Sequence, residues 1–597
     1  MKSAYRRILS VFLAIVMATG IFTVSFAQEK TVDSVQVNSI QQATELLKDT
    51  SYPTIVIHGI GQANTFEVDE NGERIIDQSG NPVTGWPVYL NATTLVIKLI
   101  APLLFSLCLQ RDLGLSDMVY KAAYEQMYHM GYNDDGTRIG KFVVEGYDNK
   151  SVAECTQEEK DRIYGNIPLQ QYAAAAGEEN LYYFAYDSFG DTYTIVDELE
   201  AIIEKAKRET GKDKVNLVPV SLGGAISVAY IGEHPQGEDI NKVVLIVPAA
   251  DGSEIVGKIM LGELDYSDEG LYRNMFTKLV GTDNYTGWLI NIALRVLPKS
   301  VIKDVLRSLA AGLTDSMLAR VPTMWGLVPA SMFDRLAEKY LTPGTVFADK
   351  IYKFHEAQLN YIDNIKNYEK NGIQVYNICG YGLELYSLID SDCNSDKIIH
   401  SASTSLGATF SKVNETLGEN YTQKYLTEYN LISPDRQVDA STCAFPLRTW
   451  FFGGQDHEAL GHNDVVISLA TKLLIYKNVN VFSMPEYPQF NGHRNSEDLE
   501  DYLKFAKGVD TSMLNAEQKA LLASAIKAGE DNLAKTIIVE GENERVTQQL
   551  KDVLVELGFK EKEDKTVDNI LLFVCRTASE LLYVFYGPRG FSDCICA

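Results

Sequence analysis

Short apolar runs alternate with longer amphipathic segments along this chain from about Tyr52 onward. Four runs have the length of a strand, namely TIVIHGIGQ, NLYYFAYDSFG, KVNLVPV and KVVLIVPAA, and the first two end in a glycine loop or turn. Between them, IVDELEAIIEKAKRETG has apolar residues at helical spacing and a stop signal at Gly211. Because strands that alternate with helices build parallel sheets, the pattern predicts an α/β fold with a mostly parallel central sheet.

A block of amphipathic helical segments interrupts this alternation from about Gly252 to Lys370, with GWLINIALRVLPKSVIKDVLRSLAAGL as its clearest part. Strands then resume with IQVYNICGYG, RTWFFGG and NVNVFSM. Helices inserted between strands of one sheet are most simply a cap over a pocket. We therefore expect a lid, with Trp288, Trp325 and Leu327 among the residues that line the pocket.

The patterns divide the chain into a signal peptide (1–27), a first core part (28–251), the cap (252–370), a second core part (371–510) and a mixed helical C-terminal extension (511–597). The first segment combines a basic start, an apolar run and small residues before position 28, which is typical of a cleaved secretory signal. We expect a secreted or cell-envelope protein; the alternative is a retained membrane anchor.

A second apolar stretch, GWPVYLNATTLVIKLIAPLLFSLCLQ, is interrupted by Lys98 and Pro102. Its length is marginal for crossing a bilayer, so the first interpretation is a buried or interfacial helix and the second is a transmembrane helix. A transient contact with a membrane or lipid surface follows from the first interpretation.

Composition and charge narrow the possible partners. Of 597 residues, 46% are hydrophobic and 22% are charged, which is ordinary for a globular protein larger than one core. The net charge of −26 argues against nucleic acid as a partner. The 8 cysteines are too sparse for a disulfide scaffold, although Cys393 with Cys443 and Cys594 with Cys596 are conceivable pairs.

One serine stands at a predicted strand-to-helix corner, in NLVPVSLGGAISVAYI. Ser221 can be an ordinary turn residue, or it can be the nucleophile of an elbow that presents its hydroxyl above the sheet. In the second interpretation the Leu222 N–H helps to bind an oxyanion, and the glycine loop in VIHGIGQ supplies Ile60 as the other donor.

A nucleophilic serine needs a base and an acid that follow it along the chain. Asp464 lies in GHNDVV after the strand RTWFFGG, and His493 lies in PEYPQFNGH after NVNVFSM. Asp464 also opens a helix-like run, where it can act as an N-terminal cap. Asp396 and His457 give an equally permissible order, but we favour Asp464 and His493 because each follows a later strand.

Metal binding is not expected. HEALGH departs from the zinc-binding H-E-x-x-H pattern because His462 is one residue too far along. The acidic segment VDENGERIIDQSGNPVTGW does not have the spacing of a calcium-binding EF-hand loop. We therefore expect neither a metal nor a cofactor.

Several of these segments together resemble lecithin–cholesterol-acyltransferase-like α/β-hydrolases, a lipase-related family. The similar blocks, between about Tyr52 and His493, are IVIHGIGQ, FAYDSFGDTY, VNLVPVSLGGAISVAYI, RVPTMWGLVPASMFD and HNDVVISLATKLL. The resemblance implies an α/β-hydrolase core, a Ser-Asp-His triad, a helical lid and action on acyl esters of lipids. The family pattern has glycines where this chain has Pro219 and Val465.

The expected function is therefore that of an exported serine esterase or lipase, in which the lid lines an apolar acyl pocket. Ser221 would attack the ester, His493 would relay protons and Asp464 would orient the imidazole. An acyltransferase is one alternative. A non-catalytic lipid- or partner-binding homologue is another, which Pro219 keeps open, and the sequence leaves the oligomeric state undetermined.

Overall fold

A computed structural model describes residues 48–559, with gaps at 51, 78–79, 81, 88–101, 104, 107–108, 148, 268–270, 272–296, 387–388, 426, 492–496, 510, 512–513 and 534–541. The predicted signal peptide, Trp288, the Cys594–Cys596 pair and most of the second apolar stretch lie outside the described residues. Within the described residues, no helix combines the length and the apolar character needed to cross a membrane.

The strands are, in chain order, β1 (Thr54–Ile57), β2 (Thr65–Glu67), β3 (Thr84–Trp86), β4 (Phe142–Val144), β5 (Leu181–Phe184), β6 (Val215–Pro219), β7 (Ile240–Ile246), β8 (Gln374–Tyr381), β9 (Thr409–Phe410), β10 (Val438–Asp439), β11 (Thr449–Gly453) and β12 (Phe490–Asn491). A central sheet of 7 strands has the order β12-β11-β8-β7-β6-β1-β5, and its neighbouring strands are parallel. The predicted α/β class with a mostly parallel sheet is confirmed. Smaller antiparallel sheets join β3-β2-β4 and β10-β9.

The α-helices are α1 (Leu115–Met127), α2 (Gln157–Asn166), α3 (Gln170–Ala176), α4 (Thr192–Thr210), α5 (Leu222–Glu233), α6 (Glu254–Leu261), α7 (Lys299–Leu313), α8 (Pro322–Trp325), α9 (Ala330–Tyr340), α10 (Val346–Lys370), α11 (Ser401–Thr404), α12 (His457–His462), α13 (Asp464–Ile475), α14 (Glu497–Gly508), α15 (Ala516–Leu533) and α16 (Glu542–Glu556). Short 3₁₀ turns occur at Tyr128–Met130, Val152–Glu154, Glu178–Asn180 and Ala440–Thr442, and a π-helical turn occurs at Thr314–Leu318.

Both faces of the central sheet are buried, which explains why its strands are continuous apolar runs. On one face, Ile55 and Ile57 of β1 belong to the cluster that includes α4, α5 and α10. On the other face, Val56 belongs to a cluster that includes α3 and α13. The predicted helix with a glycine stop is α4, which ends where Gly211 adopts a φ of 66°.

Helices α6 to α10 lie between β7 and β8, where the sequence predicts an inserted helical block. They share an apolar core around Trp325, Phe333 and Leu336, to which α1 also contributes. Helix α10 packs against the sheet-facing helix α5 as well, through side chains that include Phe354 and Tyr361. The insertion is therefore joined to the core by its longest helix.

The predicted strand NVNVFSM is wrong. Residues 478–484 form a turn, in which the Phe482 N–H donates to Asn480 Oδ1 at 2.9 Å and the Asn480 N–H donates to Ser483 Oγ at 3.0 Å. Its apolar residues Val479 and Val481 are buried in the core without strand pairing. The strand that pairs with β11 on the side away from β8 is instead the short strand β12.

The chain divides into two compact units, residues 1–493 and 494–597. In the second unit, Leu499 and Leu503 of α14 pack with Leu522 of α15 and Leu550 of α16. Helix α14 thus belongs to the C-terminal unit, which begins before the boundary at residue 511 that the sequence predicts.

The conceivable Cys393–Cys443 bridge is not formed, because both cysteines are free. Cys443 is buried, and its thiol donates to the Ala440 carbonyl oxygen at 3.1 Å.

Candidate active site

Ser221 occupies a sharp corner between β6 and α5, with φ 53° and ψ −116°. A non-glycine residue rarely adopts a positive φ, so this backbone is strained and must be held by its neighbours. The Ser221 N–H donates to the Ile246 carbonyl oxygen at 3.1 Å, and the Ser221 carbonyl oxygen accepts from the Ala249 N–H at 2.9 Å. One bond to the last residue of β7 and one from the loop after it thus hold the predicted elbow.

The glycines after Ser221 let helix α5 approach the sheet closely. A Cβ atom at Gly223 would lie 2.1 Å from the Ile57 carbonyl oxygen, and one at Gly224 would lie 2.6 Å from the Pro248 Cβ. Both distances are too short for any side chain. The sequence S-L-G-G is therefore required by close packing of the corner against β1 and the loop after β7.

His457 is the residue that contacts the Ser221 hydroxyl. Its Nε2 atom lies 2.8 Å from Ser221 Oγ. The residue begins α12, directly after β11 and the short loop that leaves it. Asp456 caps the helix by accepting from the Ala459 N–H at 2.8 Å, which fixes the backbone from which the imidazole projects.

Asp396 completes a hydrogen-bond chain behind the histidine. Its Oδ2 atom lies 2.7 Å from His457 Nδ1, and Oδ1 accepts from the N–H groups of Ile398 at 3.1 Å and Ile399 at 2.8 Å. The carboxylate is fully buried. A carboxylate only accepts, so Nδ1 carries the proton and Nε2 is free to accept from the serine hydroxyl.

The charge of Asp396 controls the ionisation of the histidine. Burial of the imidazole acts to lower the pKa of His457, but the negative charge of Asp396 and the hydrogen bond to it act in the opposite direction and prevail. The pKa of His457 is therefore raised above its ordinary value of 6.5. A base of this kind accepts a proton readily.

The structure differs from the acid and base that the sequence favours. It joins Ser221 to His457 and Asp396, the alternative order that the sequence also permits. Asp464 is exposed at the first position of α13, where Asn463 is the cap and accepts from the Val465 N–H at 2.9 Å. His493 lies outside the described residues.

The loop after β8 brings Asp396 back to the site. Asp396 lies far beyond the strand along the chain, but the loop folds back on itself through paired hydrogen bonds between Leu383 and Ser395, both 3.0 Å. Gly380 of β8 then leaves room for the acid, since a Cβ atom there would lie 2.8 Å from Asp396 Cβ. Chain order alone does not select Asp396 and His457, because Asp464 and His493 satisfy the same order.

The predicted oxyanion loop lies directly against the nucleophile. A Cβ atom at Gly59 would lie 3.1 Å from Ser221 Cβ and 3.6 Å from Ser221 Oγ. The Gly59 N–H donates to Gln62 Oε1 at 2.8 Å, and the Gly61 N–H donates to Ser188 Oγ at 2.9 Å. In the chain, Ile60 lies between these two anchored glycines, and its role as a donor stays a prediction.

The second predicted donor, Leu222, begins α5 directly after Ser221. The first N–H groups of a helix have no partner within it, and the positive end of the helix dipole lies there. The Leu222 N–H is therefore well suited to stabilise negative charge next to the serine.

Pro219 lies at the end of β6 and does not prevent the elbow from forming. The N–H groups of Val215 and Ser221 donate to the β7 side of the sheet, whereas Asn216 and Val220 donate toward β1. In this alternation, the backbone N–H of residue 219 would point toward β7. Proline has no N–H, so one hydrogen bond between β6 and β7 is absent. The next two bonds, which the Val220 and Ser221 N–H groups donate, are intact.

The predicted pocket residues have different environments. Trp325 is buried in the core of the inserted helices, where its Nε1–H donates to the Ala319 carbonyl oxygen at 3.2 Å. Leu327 is half-buried and packs between the insertion and the sheet-facing helices.

No group of three or more His, Cys, Asp or Glu side chains that could hold a metal ion occurs among the described residues. In the HEALGH segment, His457 contacts Ser221, and His462 Nε2 lies 2.9 Å from the Gly165 carbonyl oxygen. The two histidines thus have separate partners.

No protein-family model matches this chain, and no curated protein matches it. Among solved structures, the crystal structure of a serine hydrolase from the polyaromatic hydrocarbon-degrading bacterium Cycloclasticus zankles matches with 16% sequence identity and a TM-score of 0.12. The match covers 34% of this chain and 84% of that chain. Membership of the lecithin–cholesterol-acyltransferase-like family stays a prediction, and the chemistry of the site rests on its own geometry.

Proposed function

We propose that this protein is a serine hydrolase that cleaves acyl esters. The observation that carries the proposal is the hydrogen-bond chain from Ser221 through His457 to Asp396, at the carboxyl edge of a parallel sheet. A serine hydroxyl becomes nucleophilic when a positioned base accepts its proton and a buried acid orients that base. Both conditions are supported by the contacts of these three residues, which come from separate loops.

The reaction follows from this geometry. Ser221 Oγ attacks the ester carbonyl carbon while its proton moves to His457 Nε2, and the carbonyl oxygen becomes an oxyanion near the Ile60 and Leu222 N–H groups. The imidazolium, stabilised by Asp396, then protonates the departing alcohol and leaves an acyl-serine. Water attacks the acyl-serine with His457 again as the base, which releases the acid and restores Ser221.

The substrate and location are proposed from the sequence. The resemblance to lecithin–cholesterol-acyltransferase-like proteins and the apolar inserted helices favour a lipid ester as substrate, with α6 to α10 as the lid. Residues 1–27 favour export, followed by transient contact with a lipid surface. The Cys393 and Cys443 thiols, which are free, are not needed for the proposed chemistry.

Hydrolysis of p-nitrophenyl esters with increasing acyl length tests this function. We expect turnover in the wild type that is lost in Ser221→Ala. The control is Ser331→Ala, at an exposed position of α9, which should retain it. A wild type that binds lipid but releases no nitrophenol would support the non-catalytic alternative, and formation of a new ester when an alcohol is added would show acyl transfer.

A further inference from the structure

The mechanism above does not use His58, which follows β1 directly and is completely buried. Its ring stacks on Tyr186, with ring centroids 4.1 Å apart, and on Tyr183 at 5.5 Å. Burial lowers the pKa of His58 to about 4, although hydrogen bonds with Gly59 and Tyr186 act to raise it. The imidazole is therefore neutral at neutral pH.

The partners of the ring define its tautomer. The Tyr186 backbone N–H can only donate, and it lies 3.2 Å from His58 Nε2. Nε2 must then be the unprotonated nitrogen, so the proton is on Nδ1. Nδ1 lies 2.5 Å from the Gly59 carbonyl oxygen, to which it donates.

This bond fixes the orientation of one particular peptide group. The Gly59 carbonyl and the Ile60 N–H belong to the same peptide plane, and in a trans peptide they point in opposite directions. A carbonyl held toward His58 therefore directs the Ile60 N–H away from the imidazole. Gly59 itself lies against Ser221, so this plane is beside the nucleophile. The other donor to the Gly59 carbonyl is the Gln62 N–H at the longer distance of 3.4 Å.

We propose that His58 is a positioning residue, whose neutral imidazole holds the Gly59–Ile60 peptide so that the Ile60 N–H is aimed at the oxyanion before substrate binds. The inference rests on the proposed function and deepens it, because it makes the oxyanion site preformed. Burial of a polar imidazole is unfavourable unless its nitrogens are hydrogen-bonded, and both nitrogens of His58 have partners.

Two amide substitutions separate the two nitrogens of the ring. In His58→Asn, the side-chain amide can occupy the place of Nδ1 and donate to the Gly59 carbonyl. In His58→Gln, the longer side chain places its amide near the position of Nε2, where it can serve the Tyr186 N–H but does not reach Gly59 in the same way. Both are neutral and hydrogen-bonding, so they are a matched pair.

We expect His58→Asn to retain kcat within about 5-fold and His58→Gln to lower kcat by about 100-fold, as for loss of one oxyanion donor. KM should change by less than about 3-fold in both, because the donor acts mainly in the transition state. Equal kcat values in the two variants, whether high or low, would overturn the inference, as would a change confined to KM. An inactive wild type would instead refute the proposed function.

NMR of wild-type protein labelled with ¹⁵N-histidine gives a test that does not depend on how the variants fold. The inference requires a neutral His58 with a proton on Nδ1 and an unprotonated Nε2. Observation of the Nε2–H tautomer would exclude donation to the Gly59 carbonyl and would overturn it.

Discussion

At the scale of single residues, the site depends on how one buried carboxylate is satisfied. Asp396 has no exposed surface, yet Oδ1 accepts two backbone N–H groups and Oδ2 accepts from His457. Both oxygen atoms of this buried side chain therefore have hydrogen-bond donors. The charge then acts on His457, the one partner that can gain a proton during the reaction.

Replacing this acid should remove most of the activity. In Asp396→Asn we expect kcat to fall by about 10⁴-fold, because the amide no longer selects the productive tautomer of His457. The control Asp464→Asn changes an exposed carboxylate at the start of α13 and should stay within about 2-fold of the wild type. Steady-state kinetics on a soluble ester distinguish the two candidate acids. A larger loss of kcat in Asp464→Asn than in Asp396→Asn would favour Asp464 as the acid.

The pH dependence follows from the raised pKa of His457. Protonated His457 cannot accept the Ser221 proton, so kcat/KM should fall as the pH decreases through a midpoint above 6.5. In Asp396→Asn the residual activity should have its midpoint at lower pH, since the opposing charge is gone. A pH profile of kcat/KM checks both, and an unchanged midpoint in the variant would contradict the coupling.

The raised pKa of His457 also makes the stability of the protein depend on pH, in the direction opposite to the pH dependence of its activity. A group whose pKa is raised by folding stabilises the folded state when it is protonated. This stabilisation is fully present below the pKa of the unfolded state, about 6.5 for histidine. It is lost as the pH rises through the pKa of the folded state. His457 therefore stabilises the protein most on the acid side of this window, where it is protonated and inactive as a base.

At the scale of elements, the elbow depends on the close approach of α5 to β1. Gly223→Ala would place a Cβ atom 2.1 Å from the Ile57 carbonyl oxygen, a backbone atom that cannot move alone. We expect the free energy of unfolding to fall by about 3 kcal/mol. Urea unfolding measures it.

The matched control is Gly461→Ala in α12, where a Cβ atom meets nothing within 4 Å. This change should raise the free energy of unfolding by about 0.5 kcal/mol, because alanine favours a helix. Similar effects of the two substitutions would mean that α5 does not approach β1 as closely as described.

The sequence predicted the elements of the sheet better than the loops that carry the acid and the base. Strand β1 and its neighbours are apolar on both faces, so they are visible as continuous runs. Val479 and Val481 give a similar signal although they are buried in a turn, and this false strand favoured His493. The return of the loop to Asp396 depends on the pairing of Leu383 with Ser395, which no local periodicity shows.

At the scale of the whole molecule, the fold brings distant parts of the chain to one edge. Ser221 and His457 are separated by 236 positions and His457 and Asp396 by 61, yet both pairs are hydrogen-bonded. Parallel strands end at the same edge of a sheet, so the loops after β6, β8 and β11 converge there. In the chain, the inserted helices follow the carboxyl end of β7, which belongs to this same edge of the sheet.

Covalent labelling by a fluorophosphonate tests the central claim, an activated Ser221, most directly. Mass spectrometry of the labelled peptides should place the adduct on Ser221, and the rate of labelling should fall by orders of magnitude in His457→Ala, because triad members act as a unit. His493→Ala should label like the wild type. An adduct on another residue, no adduct, or loss of labelling in His493→Ala but not in His457→Ala would contradict the account.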